Sequence, residues 1–315
     1  MNTVEQIKNS IKGAARLKTP HFNVTNCCMD PSIWSDISLL SKDYDIINYH
    51  MYTDRYSFDL EGSLFKGVGR GVTSRKIIPH MSDAFLLDTL VRDLIDTDYL
   101  SMLRNIIKVV NLDTSSCGVE HLMLNRPFDV KYVFTCKELE DHYRKYIPND
   151  AQTHIARNYT NTEMFFDQNK DRRNVSIMVN TIENWDFPPD LKNIHMVSSS
   201  KPCLESFAEI LNNHKTYIQV GSLYDFRPMY AMACGCIPIL VIADESLYNP
   251  SILRNGENCI LTKSMEEAID TAAMLNSNDK LLNSIKKNIP DTMKFFNNKE
   301  ETQDSWSDIF NSYRR

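Results

Sequence analysis

Glycine is scarce in this sequence, at 9 of 315 residues, or about 3% against a usual 7%. Collagen-like and glycine-rich low-complexity readings are excluded. No window approaches the roughly 18 uninterrupted apolar residues of a membrane helix, so membrane insertion is not expected. The first residues, MNTVEQIKNSIKGAARL, are polar and amphipathic and lack the apolar core of a secretory leader. Positive charge is not in excess: 35 Lys and Arg against 41 Asp and Glu give a net charge of -6. That argues against a dedicated nucleic-acid binder, while leaving room for a local basic patch. The eight cysteines show neither CxxC spacing nor a Cys/His cluster, so no metal site is expected. They read as buried thiols of a reducing compartment, the cytoplasm.

What is present is ordinary for a globular chain, with 42% hydrophobic and 24% charged residues. At about 150 residues per domain, the length points to two domains. Short Ile-, Val- and Tyr-rich runs read as buried strands: Asp45–Tyr49, Ile106–Leu112, Val130–Phe134, Val175–Val179, Ile194–Val197, Tyr217–Val220, Ile237–Ile242 and Asn258–Leu261. Between them, apolar residues at three- and four-residue steps predict helices over Ser32–Leu40, Ala84–Ile95, Lys137–Tyr146, Leu204–Asn212, Met229–Ala233, Met265–Met274 and Lys280–Lys287. Such alternation predicts an α/β protein with mostly parallel sheets. The polar stretch near Pro148–Arg157 is the expected boundary between two doubly wound domains. Ligands of such sheets bind at the carboxyl ends of the strands.

Residues 217–262 carry the most chemistry. A strand runs into Gly221-Ser-Leu-Tyr-Asp-Phe-Arg227-Pro228, then a short helix, then Gly235, then the strand Ile237–Ile242. Pro228 suits the first turn of a helix and Gly235 its C-terminus. A strand-loop-helix turn of this kind aims unpaired N–H groups at a phosphate or diphosphate, and Arg227 can add a charge-assisted contact. An ordinary crossover helix with a solvated Arg227 is the competing reading.

Tyr230-Ala-Met-Ala-Cys-Gly-Cys-Ile-Pro-Ile-Leu240 resembles the EAMACGxPVI signature of retaining GT-B glycosyltransferases of family 4 type, and Ser222-Leu-Tyr-Asp225 resembles the SxxE loop before it. Asn255–Leu261 is similar to the GENGxLV segment, Ile155–Phe165 to the VIPNGVDTEMF passage that opens the second domain, and Phe134–Arg144 to the stretch closing the first. The resemblance covers residues 128–262 in co-linear order. It implies a GT-B-like fold of two Rossmann-like domains around a cleft. Residues 1–155 would form the acceptor side, 156–297 the nucleotide-sugar side, and 298–315 a C-terminal helix crossing back to the first domain. More loosely, residues 229–311 resemble phage DNA α-glucosyltransferases that modify hydroxymethylcytosine, and the Asn/Asp/Lys/Ile-rich composition resembles that of an AT-rich viral or parasitic genome.

The sequence departs from the family pattern. Tyr230 stands where a glutamate binds the nucleotide ribose, and a phenol does not reproduce a carboxylate. The expected Arg and Lys of the diphosphate clamp are absent from Thr181–Pro189. One strand-helix unit is missing, so the second domain is trimmed. Two places can supply replacement cations. One is Arg227. The other is Glu61–Lys76, where Gly62, Gly67, Gly69 and Gly71 lie among Lys66, Arg70, Arg75 and Lys76. Glycines permit close backbone approach and clustered cations suit phosphate, so this stretch reads as a phosphate- or acceptor-binding loop. A solvated surface loop is the alternative.

Other candidates follow by position. His50 ends a strand facing the expected cleft, where a structural histidine is the competing reading. Asp113 ends another, where the family places a His-Asp pair near the transferred sugar; a helix N-cap is its alternative. Ser199 and Lys201 follow a second-domain strand, where base contacts are expected by analogy. The resemblance implies transfer of a sugar from a nucleotide-diphospho-sugar, with UDP-sugar the first choice, to an acceptor hydroxyl with retention and without cofactor or metal. Duplex DNA carrying hydroxymethylated bases is one acceptor, and a cytoplasmic glycan, lipid or small molecule is another. A nucleotide-sugar epimerase and a non-catalytic binding module are the remaining readings. The expected compartment is a bacterial or infected-host cytoplasm.

Overall fold

Runs rich in Ile and Val cannot alternate polar and apolar residues, so they are stable only as strands covered on both faces. In the computed structural model they form two all-parallel sheets. The structure describes residues 22–26, 31–40, 43–51, 71–74, 83–88, 106–110, 130–171, 174–180, 194–198, 204–220, 227–242 and 252–313.

The first sheet contains β1 (Asn23–Asn26), β2 (Asp45–Met51), β3 (Gly71–Ser74), β4 (Ala84–Asp88), β5 (Ile106–Val110), β6 (Val130–Phe134) and β7 (Gln152–Ile155), in the order β3-β2-β1-β4-β5-β6-β7. The second contains β8 (Asn174–Asn180), β9 (Ile194–Ser198), β10 (His214–Val220), β11 (Ile237–Val241) and β12 (Ile260–Thr262), in the order β12-β11-β10-β8-β9. Strand order reverses between β1 and β4 in the first sheet and between β8 and β10 in the second. Doubly wound sheets take their ligands at these two switch points.

The helices among the described residues are α1 (Pro31–Ser38), α2 (Lys137–Tyr143), α3 (Leu204–Asn212), α4 (Arg227–Ala233), α5 (Met265–Ser277), α6 (Asp279–Lys286), α7 (Ile289–Met293) and α8 (Lys299–Asn311). Three of them begin with a side-chain cap. Ser264 accepts from the Glu267 N–H before α5, Asn278 from Leu281 before α6, and Asn298 from Glu301 before α8.

Two expectations need correction. Ala84–Asp88 is a strand, not the start of a helix over Ala84–Ile95; Ala84 and Leu86 are fully buried on one face, and a short apolar run reads equally as strand or helix from periodicity. Gly71 lies in β3, paired with Asn48, rather than in a loop. Gln152–Ile155, inside the stretch expected to hold the boundary, pairs with β6 as the edge of the first sheet.

One core joins Val24, Ile33, Ile37, Leu86, Ile107 and Val109 of the first sheet and α1 to Trp306, Ile309 and Phe310 of α8. The chain thus returns from the second sheet to finish the first. Lys131, buried in β6, reinforces this return: its ammonium donates to Ser312 Oγ and lies 3.8 Å from the Tyr313 ring centroid. A second core wraps β10 and β11 with α3 to α7. Between the two, the Tyr159 N–H donates to the buried Asp36 carboxylate at 2.8 Å, and the Thr160 N–H donates to the Phe296 carbonyl at 2.7 Å.

Candidate active site

The carboxyl end of β10 is Val220, beside the second switch point, and α4 begins at Arg227. The connection 221–226 holds Gly221, Ser222 and Asp225, which lie outside the described residues. Its anchors are well defined. Below the connection, Tyr217 is fully buried and donates to Gln219 Oε1 at 3.0 Å. Burial pushes the Tyr217 phenol up to about 12, with the Arg227 cation acting in the opposite direction. Arg227 itself is half-buried at the helix start.

The far end of α4 closes as the sequence suggests. Gly235 has a φ of +77°, its N–H donates to Met232, and the Cys236 N–H donates to Ala231, each at 2.8 Å. That pair of bonds is a Schellman motif, and the positive φ is why glycine stands there. The chain then reverses directly into β11, so the start of α4 and the end of β10 face the same side of the sheet.

Tyr230, one turn into α4, is a core residue. It is 4% exposed and its ring stacks on Phe165, with centroids 4.1 Å apart and planes 7° from parallel. Phe165 in turn meets Phe207, and Phe207 meets Tyr217, both edge to face. A ring in this position packs the helix onto the chain that enters the second sheet. The expectation of a ribose contact at Tyr230 is thereby reduced to the hydroxyl end of a buried ring.

His50 falls at the carboxyl end of β2, paired with Thr73 of β3. Asp113, Ser199, Lys201, Lys66, Gly67, Gly69, Arg70, Arg75 and Lys76 lie outside the described residues, as does Thr181–Pro189. Among the described residues no group of three or more His, Cys, Asp or Glu could hold a metal ion, and no helix is long and apolar enough to cross a membrane.

A cavity of about 450 Å³, not anticipated from the sequence, opens at the carboxyl ends of β6 and β7. Thr135 to Glu138 and Ile155 line it from the first sheet, and Ile252, Phe295 and Phe296 from the second half of the chain. Arg157 and Glu301 pair at 3.1 Å on its rim. It joins residues 135–157 to residues 252–305, so no single local motif spans it.

No protein-family model and no curated protein matches this sequence. Solved structures match the fold. HepE of Anabaena, in complex with UDP and glucose, is 9% identical with a TM-score of 0.62, over 93% of this chain and 100% of that one. A sucrose-phosphate synthase of Thermosynechococcus elongatus is 10% identical with a TM-score of 0.60, over 93% and 99%. A glycosyltransferase of Rickettsia africae is 8% identical with a TM-score of 0.57, over 94% and 100%. The architecture is that of GT-B glycosyltransferases across most of the chain.

Proposed function

We propose that the chain is a glycosyltransferase that moves a sugar from a UDP-sugar to an acceptor hydroxyl with retention. One observation carries the reading. The stretch resembling the family signature, Ser222 to Leu240, coincides with the connection and helix beside the second switch point, the kind of position at which doubly wound sheets take ligands. The fold neighbours add support, since the Anabaena protein is seen with UDP and glucose.

In the proposed reaction the bond between the sugar C1 and the diphosphate oxygen breaks, leaving its electron pair on UDP. A bond from C1 to the acceptor oxygen forms on the same face. The acceptor proton passes to the departing phosphate oxygen. No protein nucleophile is needed, and the protein contributes orientation and stabilisation of the diphosphate charge. Arg227 is assigned to that charge, with Gly221, Ser222 and Asp225 on the donor and Ser199 and Lys201 near the base. His50 and Asp113 are assigned to the transferred sugar.

The test is calorimetric titration with UDP and UDP-glucose, followed by NMR of the product. Binding of UDP and an α-configured product from an α-configured donor are expected. Failure to bind any UDP-sugar overturns the reading, and consumption of donor without acceptor points to an epimerase. A second acceptor class, duplex DNA with hydroxymethylated bases, rests on the cations of Glu61–Lys76. It predicts transfer to hydroxymethylcytosine duplex that weakens steeply with salt. The compartment that goes with either acceptor is the cytoplasm.

A further inference from the structure

Phe295 is 54% exposed and borders the cavity at the ends of β6 and β7. A phenyl ring held at the mouth of a concave site loses water only when a ligand covers it. Beside it, Phe296 and Ile155 supply further apolar wall, while Thr135 and Ser305 supply hydroxyls. The volume of about 450 Å³ falls in the range of small-ligand sites.

The charges at the cavity decide the class of ligand. Lys137 is committed to Glu140 and Asp141, at 3.1 and 2.6 Å. Arg157 is committed to Glu301. On the wall itself the two cations, Lys137 and Arg157, are balanced by two carboxylates, Glu138 and Glu301, so no net positive charge is left for a phosphate. A phosphate-rich ligand would have to break an existing pair. A sugar would not. Its hydroxyls both donate and accept, so they can bridge a guanidinium and a carboxylate that stay paired, while its C–H face covers an aromatic ring.

We propose that this cavity binds a neutral saccharide unit of the acceptor. The proposal rests on the glycosyltransferase reading for the word acceptor, and on the cavity alone for the word saccharide. The site also spans the two halves of the chain, with Thr135 and Ile155 on one side and Ile252 and Phe296 on the other. An occupant touches both.

Saturation-transfer NMR on the full chain tests this, using maltotriose, cellotriose and chitotriose, with a hydroxymethylcytosine duplex and inorganic phosphate as contrasting probes. Each probe is run on the wild type, on Phe295→Ala and on Ser305→Phe, the latter filling the cavity from α8. UDP affinity is measured on the same three proteins. At least one trisaccharide should saturate on the wild type and lose about fivefold or more of its signal in both variants, with UDP affinity unchanged within about twofold. The proposal is overturned if no trisaccharide saturates, if the signal persists in both variants, or if the duplex or phosphate gives the variant-sensitive signal instead. Loss of UDP binding in the wild type, with the sugar signal intact, sinks the donor reading and leaves the saccharide cavity standing.

Discussion

The ring of Tyr230 lies flat on that of Phe165, joining the first turn of α4 to the chain that leads into the second sheet. Removing this ring with Tyr230→Ala should cost about 3–5 kcal/mol of stability, as for other large core aromatics. Tyr230→Glu would restore the residue of the resembling signature, yet it should cost at least as much, because it places a carboxylate against an apolar face. Urea unfolding at pH 7 measures both. A Tyr230→Glu protein as stable as the wild type would mean that the position faces solvent.

Arg227 is the only cation of the proposed donor site that the structure describes. Arg227→Ala should weaken UDP binding by about 1.5–3 kcal/mol, or roughly 10- to 150-fold. Arg227→Lys should recover part of that loss, since it keeps the charge and loses the fork. Titration calorimetry reads both, and unchanged affinity for the alanine variant removes Arg227 from the site.

How much could be read in advance differs between the two sheets. In the second, Ile237–Val241 is buried at every position, so its apolar run announced a strand, and Leu204–Asn212 showed a clean helical face. In the first sheet, β1 is Asn-Val-Thr-Asn and β3 is Gly-Val-Thr-Ser, each with a single apolar residue. Nothing local marks such segments as strands; their neighbours in the sheet make them so. β7 escaped notice because it is an edge strand and stays partly exposed, so it needs little hydrophobicity. At the site, Arg227 and Gly235 were legible because turns and caps impose local requirements. The cavity beside Phe295 was not, since it brings residues 135–157 together with residues 252–305.

His154 in β7 gives a pH signature. Burial holds its imidazole below the ordinary value of 6.5, helped by the nearby Lys131 cation and opposed by Asp308. The unfolded chain therefore binds this proton more readily than the folded one. The associated stability is complete above pH 6.5 and is lost as pH falls from there through the lowered folded value. Urea midpoints between pH 7.5 and 5 should fall more steeply for the wild type than for His154→Gln. Parallel profiles would rule His154 out as the source.

The thiols offer a chemical check. Cys234, Cys236 and Cys259 are fully buried, and burial pushes the Cys259 thiol up to about 12. A maleimide at pH 8 meets essentially no thiolate at such a site. Peptide mapping of the native protein should find these three unmodified, and all three labelled in 6 M guanidinium. Labelling of Cys259 in the native state would contradict its burial just before β12.

Protein synthesis meets an ordering problem in α8. The first sheet is covered by Trp306, Ile309 and Phe310, which leave the ribosome well after it. At about 5–20 residues per second, the roughly 150 residues between β7 and Trp306 take on the order of 10–30 s to make. During that interval Val24, Ile33 and Ile37 lack the cover that Trp306, Ile309 and Phe310 give them. A stop codon shortly before residue 306 would therefore leave the late-made half intact and the early-made half open to aggregation and proteolysis.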